Sequence, residues 1–330
     1  MLCYISSKML RKLYYKVWSI IDYINGKINI NDDSEVISHK NLPYGNDLIY
    51  HNFDIHYPKN TQAKLPAIFN FHGGGYVAGK KEGNTNFCQE LAKKGFVVFN
   101  IEYTPAGKRN KYFPTPIYEF FDCYKFITEE TDIGDLIDYK NIFLSGNSAG
   151  GHIASLIANI QSNPDLKQAF NLPGGPQVKG TILVCPSFGV YNFKGMFLKR
   201  EYHDVVFGPE KERSPLAEFT HGLEVTTDSY PPSLMLSVDG DMIVGAHRGR
   251  FLKMAKELKL SVRHYDVKSG FKLLHCSMVE HANQYPQCID KIAQFINDAK
   301  ENKFTEGVLR EEIYEIPTAK QIKKTSEMIK

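Results

Sequence analysis

"NIFLSGNSAGGHIASLIANIQ" (residues 141–161) leaves a short apolar run, crosses a cluster of small residues and enters an apolar, helix-like stretch. At its centre stands Gly146-Asn147-Ser148-Ala149-Gly150, a G-x-S-x-G pentapeptide placed between a strand pattern and a helix pattern. A strand-to-helix turn this tight forces its central residue into a strained conformation, and flanking glycines relieve the clashes. The serine oxygen is thereby lifted above the sheet at the positive end of the following helix. Taken alone, the same letters fit a helix start with Ser148 as its cap. The remainder of the chain decides between the two.

Outward from this turn, "PAIFNF", "FVVFNIEY", "VKGTILVC" and "PSLMLSV" are short apolar runs of the buried, parallel type, and "LIYHNFDIHYP" alternates like a half-buried strand. Helical stretches separate most of them: "TNFCQELAKKG", "PIYEFFDCYKFITEE" and "AHRGRFLKMAKELK". This β-α-β series predicts an α/β fold, a mostly parallel sheet with helices on both faces. Residues 187–229 break the rhythm as an aromatic, turn-rich insertion, the kind of segment that forms lids and binding loops. At the N-terminus Leu10, Leu13, Val17, Ile20, Ile21 and Ile24 recur at helical spacing with Lys and Arg between them. Charges interrupt every possible signal-peptide core there, and the stretch is too broken to span a membrane. Packing over the protein is the more frequent outcome for such a helix, a membrane surface being the alternative. The expected organisation is an N-terminal helical cap segment over 1–45, an α/β domain over 46–300 with a cap insertion at about 187–229, and a C-terminal extension over 301–330.

Composition excludes other classes. Apolar content of 42% and charged content of 23% are ordinary for a globular domain, and a net charge of +3 is too small for a nucleic-acid binder. The six cysteines show no C-x-x-C spacing, so they read as reduced thiols of a cytoplasmic protein and not as a disulfide frame or a zinc site.

Serine needs a base to become a nucleophile, and the base needs an acid to orient it. In this arrangement both follow the serine, acid first, in loops after later strands. "LMLSVDGDMIVG" offers Asp239 and Asp241; "RHYDVKSGFKLLHCSMVEH" offers His264, His275 and His281. His264 lies within a strand pattern and His281 where a helix could run. His275 follows a glycine-containing loop, from which a ring could reach Ser148. Earlier in the chain, "FNFHGGGYVAGKKEG" (residues 69–83) carries three consecutive glycines after a strand. Gly74, Gly79 and Lys80 fit the phosphate-loop pattern G-x-x-x-x-G-K, but Lys81 stands where Ser or Thr would hold magnesium. Lys80 and Lys81 then read as ordinary loop residues.

Together these stretches resemble the hormone-sensitive-lipase-like branch of the α/β-hydrolase superfamily, which includes esterases and acetyl esterases. The resemblance rests on His72 to Gly75 with Gly79, on "IEYTPAG" with Phe113-Pro114 and Asp122, on Gly146 to Gly151, on Asp241-Met242-Ile243, and on the late His275. These motifs span roughly residues 50 to 298. The chain departs from the family pattern at Asn147, often Asp, at "TPAGK" after Tyr103, and at Cys276 after His275. The resemblance implies an α/β-hydrolase fold with a helical cap and a Ser148–His275–Asp241 triad. It also implies an oxyanion hole from the backbone N–H groups of Gly74, Gly75 and Ala149. A small-molecule ester with a short acyl chain would be the substrate, with no metal or organic cofactor. His72 would hold the glycine loop, and Cys276 would be a packed side chain. A non-catalytic binding protein on the same fold and an amidase or thioesterase with the same triad stand as alternatives. A nucleotide-binding protein is a distant third.

Overall fold

The computed structural model describes residues 33–61, 63–172, 174–189, 199–220, 223–238, 241, 243–268, 275–304 and 309–315. The N-terminal helix pattern, Asp239, Met242, part of the 187–229 insertion and the loop before His275 lie outside the described residues.

Nine strands form one sheet among the described residues, in the order β1-β2-β4-β3-β5-β6-β7-β8-β9. They are β1 (Val36–Pro43), β2 (Asn52–Pro58), β3 (Leu65–Phe71), β4 (Val97–Ile101), β5 (Ile137–Asn147), β6 (Val178–Val184), β7 (Ser233–Val238), β8 (Val262–Lys268) and β9 (Leu309–Glu315). β1 and β2 pair antiparallel, as do β2 and β4; every other pairing is parallel. Parallel strands require crossovers, supplied by α1 (Thr85–Lys93), α2 (Thr115–Glu129), α3 (Ala149–Ser162) with the short α4 (Pro164–Ala169), and α6 (Gly245–Glu257). α5 (Lys199–Phe207) sits in the insertion, α7 (Ser277–Glu280) follows His275, and α8 (Pro286–Lys300) precedes β9.

The central strands are mostly apolar because both faces are covered, and some buried polar residues among them find partners, as where Asn70 Nδ2 donates to Asn100 Oδ1 at 3.1 Å. In β3, Ala67, Phe69 and Phe71 face one core together with Ile117 and Phe120 of α2 and Ile153 and Ile157 of α3. Ile68 faces the other, shared with Phe87 and Leu91 of α1 and Ile292 and Phe295 of α8. Each of the Ile, Leu and Phe side chains contributes roughly 1.5–3 kcal/mol by leaving water.

Two readings need correction. β2 is not half-buried: Asn52 through His56 are all buried, because α1 packs over its polar side. Nor does the sheet stop at the expected 46–300 boundaries. β1 lies before residue 46 and β9 after residue 300, and each is an edge strand.

The parallel strands place their C-terminal ends along one rim. His72 follows β3, Ser148 follows β5, Cys185 follows β6, Asp241 follows β7 and His275 follows β8. Ligands of open α/β sheets bind at that rim. The insertion reaches the same place: Val206 O of α5 accepts from Phe113 N at 2.9 Å. The Phe207 ring meets Phe113 edge-on.

Candidate active site

Ser148 connects β5 directly to α3 with φ 52° and ψ −118°, a backbone that non-glycine residues hold only under strain. The strain is fixed from several sides. Its N–H donates to Val184 O at 3.0 Å, and its carbonyl accepts from Ser187 N at 2.9 Å. The flanking glycines allow the turn: a Cβ on Gly146 would lie 2.3 Å from Gly150 O, and one on Gly150 would lie 2.1 Å from Phe71 O. Ser148 is half-buried, and Ala149 opens α3. The Ala149 N–H is therefore among those without a partner inside the helix.

The glycine loop lies directly on this turn. A Cβ on Gly73 would come within 3.2 Å of Ser148 Cβ. Gly74 and Gly75 have φ of 120° and 58°, and a Cβ on Gly74 would meet Ala78 O at 2.0 Å. Both ring nitrogens of His72 face oxygen acceptors, Nδ1 to Gly73 O at 2.6 Å and Nε2 to Glu102 Oε1 at 2.9 Å. Its ring stacks on Tyr103 at 4.1 Å, and the Tyr103 hydroxyl donates to His72 O. Glu102 also accepts from Lys81 N at 3.1 Å. His72 thus has the loop-holding position expected of it.

Lys81 is not an ordinary loop residue. It is 1% exposed, and its Nζ lies 2.8 Å from Asp54 Oδ1, 2.7 Å from Asn41 Oδ1 and 2.9 Å from Glu82 Oε1. The phosphate-loop position is filled by a buried ion pair that ties the loop to β2.

Of the late acids and histidines, the structure joins Asp241 and His275. Nδ1 of His275 donates to Asp241 Oδ2 at 2.7 Å, while Asp241 Oδ1 accepts from Ile243 N and Val244 N at 2.9 and 3.1 Å. Burial opposes ionisation of Asp241, but the His275 hydrogen bond and these backbone donors outweigh it and hold the carboxyl below its usual range. Burial likewise opposes protonation of His275, yet Asp241 and the facing Cys185 thiol raise its pKa above the usual imidazole value. His264 is packed, its Nε2 2.7 Å from Ser237 Oγ. His281 caps the C-terminus of α7. The structure does not join His275 to Ser148: Nε2 of His275 is buried and has no hydrogen-bond partner among the described residues.

Sequence reasoning missed three features of this rim. Glu102 ends the apolar run "VVFNI" with a buried acid, a signal that was present. Glu119, not the exposed Asp122, is the buried acid of α2, accepting from Thr104 N at 2.7 Å. Cys185 has no local signal at all. Its sulfur, that of Cys276 and a ring nitrogen of His275 all lie within 4.8 Å of one another. A hydrogen bond with Cys276, aided by His275, lowers the Cys185 pKa against the effect of burial, while burial raises that of Cys276. Among the described residues no helix is long and apolar enough to cross a membrane.

Residues 53–255 match the BD-FAE family model. The chain is 30% identical over 134 residues to versiconal hemiacetal acetate esterase of Dothistroma septosporum, covering 39% of this chain and 37% of that one. It is 32% identical over 95 residues to ethyl acetate hydrolase of Pseudomonas putida, covering 28% and 29%. The matches thus span about a third of these relatives' length. An inhibited esterase B from Lactobacillus rhamnosis superposes with a TM-score of 0.78 at 19% identity, covering 87% of this chain and 96% of that one.

Proposed function

The chain belongs to the BD-FAE family and has the α/β-hydrolase fold, and on that premise we propose that it is a serine carboxylesterase acting on short-chain acyl esters. The observation that carries the reading is Ser148, held at φ 52° on a strand-to-helix turn with the glycine loop packed against it.

In this reading Ser148 Oγ attacks the ester carbonyl and His275 Nε2 takes its proton. The hydrogen bond between them forms in the substrate complex, where catalytic contacts commonly tighten. Asp241 holds the ring through Nδ1 and stabilises the imidazolium. The oxygen of the tetrahedral intermediate is met by N–H groups of Gly74, Gly75 and Ala149, each worth roughly 3–4 kcal/mol of transition-state stabilisation. His275 returns its proton to the leaving alcohol, and water, activated by the same ring, releases the acyl group. Short acyl chains are supported by the acetate esters named for two of the relatives.

Ser148→Ala is expected to lower p-nitrophenyl acetate hydrolysis by at least about four orders of magnitude with an unchanged thermal melt. A variant retaining most of its rate overturns the assignment. A fluorophosphonate probe should label wild type at Ser148; absence of labelling would favour a non-catalytic binding protein. Across p-nitrophenyl esters, kcat/KM should fall from acetyl to decanoyl, and a rise would reject the short-chain preference.

A further inference from the structure

The ends of β6 and β8 bring two sulfurs and an imidazole together beside the proposed triad. Cys185 and Cys276 are 1% and 2% exposed, and their sulfurs lie within 4.8 Å of each other and of a ring nitrogen of His275. Nδ1 of that ring is committed to Asp241 at 2.7 Å. Nε2 is buried with no hydrogen-bond partner among the described residues, so it is the ring nitrogen open to a cation once deprotonated. A carboxylate on the far nitrogen, fixing tautomer and ring orientation, is how metal-ligating histidines are held. In a tetrahedral zinc site sulfur lies about 2.3 Å and nitrogen about 2.0 Å from the ion, so ligand atoms stand roughly 3.5–3.8 Å apart. From separations of up to 4.8 Å, the cluster therefore needs to contract by about 1.3 Å at most. Two thiolates and an imidazole select a borderline-soft ion over magnesium or calcium.

We propose that Cys185, Cys276 and His275 form a site for one soft divalent cation, with Zn²⁺ the best fit, and that its occupancy inhibits hydrolysis. Two protons leave to solvent as the metal binds, one from Cys276 and one from the Cys185–His275 pair; both sulfurs bind as thiolates, the imidazole binds neutral through Nε2, and water takes the fourth position. The two thiolates cancel the charge of the ion, so no net charge is buried. Inhibition follows because the Nε2 lone pair is the one that accepts the Ser148 proton. That part rests on the function proposed above; the ligand set does not.

Co²⁺ is the probe, because thiolate ligation gives it a near-ultraviolet charge-transfer band and tetrahedral geometry gives it strong visible bands. Metal-free protein reduced with a phosphine is expected to take up one Co²⁺ per chain with both bands and to release it to Zn²⁺. Hydrolysis of p-nitrophenyl acetate should fall with occupancy and return with EDTA. Cys185→Ser and Cys276→Ser should bind Co²⁺ at least about tenfold more weakly, and whatever hydrolysis each shows in EDTA should no longer fall when one equivalent of Zn²⁺ is added. X-ray absorption of the wild-type zinc form, which needs no substitution, should give two sulfur neighbours near about 2.3 Å. A wild type without the charge-transfer band at one equivalent, or variants with unchanged spectra, overturns the site. Full activity with the site loaded rejects the inhibitory role. Thiolate bands in a chain that hydrolyses no ester with EDTA present would keep the site and sink the esterase reading instead.

Discussion

Lys81 carries more of the architecture than its place in a glycine-rich loop foretells. Its ammonium has three oxygen partners and almost no water, and its backbone adds two more ties, N–H to Glu102 and carbonyl from Asn100 Nδ2 at 2.7 Å. A buried ion pair is weak evidence of net stabilisation, yet removing one partner leaves the other charge stranded. Lys81→Met is therefore expected to destabilise the protein by about 3–5 kcal/mol, read as a lower urea midpoint at unchanged slope. Adding Asp54→Asn should recover much of the loss, since the amide needs no counter-charge and can still accept from Asn41 N, which lies 2.8 Å from Asp54 Oδ1. Additive losses in the double variant would mean that Lys81 acts through packing of its stem and not through its charge.

At the scale of elements, the loop 72–79 is positioned by contacts that come from outside it. Glu102, at the end of β4, takes His72 Nε2 on one oxygen and Lys81 N on the other, bridging the loop's two ends. Glu102→Ala should let the glycine N–H groups drift from the oxyanion position. Misplacement on the order of 1 Å costs about 10²-fold in rate, so kcat is expected to fall by up to that factor with little change in KM. An effect confined to KM would place the latch in substrate binding instead. This division also explains what was legible beforehand. β3, β5 and β7 and their following helices are readable because burial on both faces leaves continuous apolar runs, and the Ser148 turn is readable because its glycines are sterically forced. Asp241 and His275, now 2.7 Å apart, could be singled out because each follows a strand pattern. The Lys81–Asp54 pair, the Glu102 latch and the approach of Cys185 to Cys276 depend on strand order, with β4 between β2 and β3 and β7 between β6 and β8. No local pattern encodes which strand ends become neighbours.

For the molecule as a whole, acid response follows from histidines shifted in opposite directions. His56 on β2 is fully buried with Nδ1 2.8 Å from Ser38 Oγ. Burial, reinforced by the charges of Lys40 and Lys81, pushes its pKa down to about 3. The unfolded chain titrates this side chain near its ordinary value of about 6.5. Below that value the unfolded state binds a proton that the folded state refuses, so stability falls as pH drops from about 6.5 towards 3. The slope is about 1.4 kcal/mol per pH unit, or about 2.7 kcal/mol by pH 4.5. His275 works the other way: its raised folded pKa gives stability that is fully present below about 6.5 and lost as pH rises through the folded value. Other titrating groups add to both, so a single pH curve does not separate the contributions. Comparison with His56→Gln does, because the amide keeps a polar partner for Ser38 and cannot titrate. Between pH 7 and 4.5 in urea unfolding, the variant is expected to lose about 2.7 kcal/mol less than wild type. Equal losses in the two proteins would mean that His56 is protonated in the folded state and that the Ser38 side of β2 admits water.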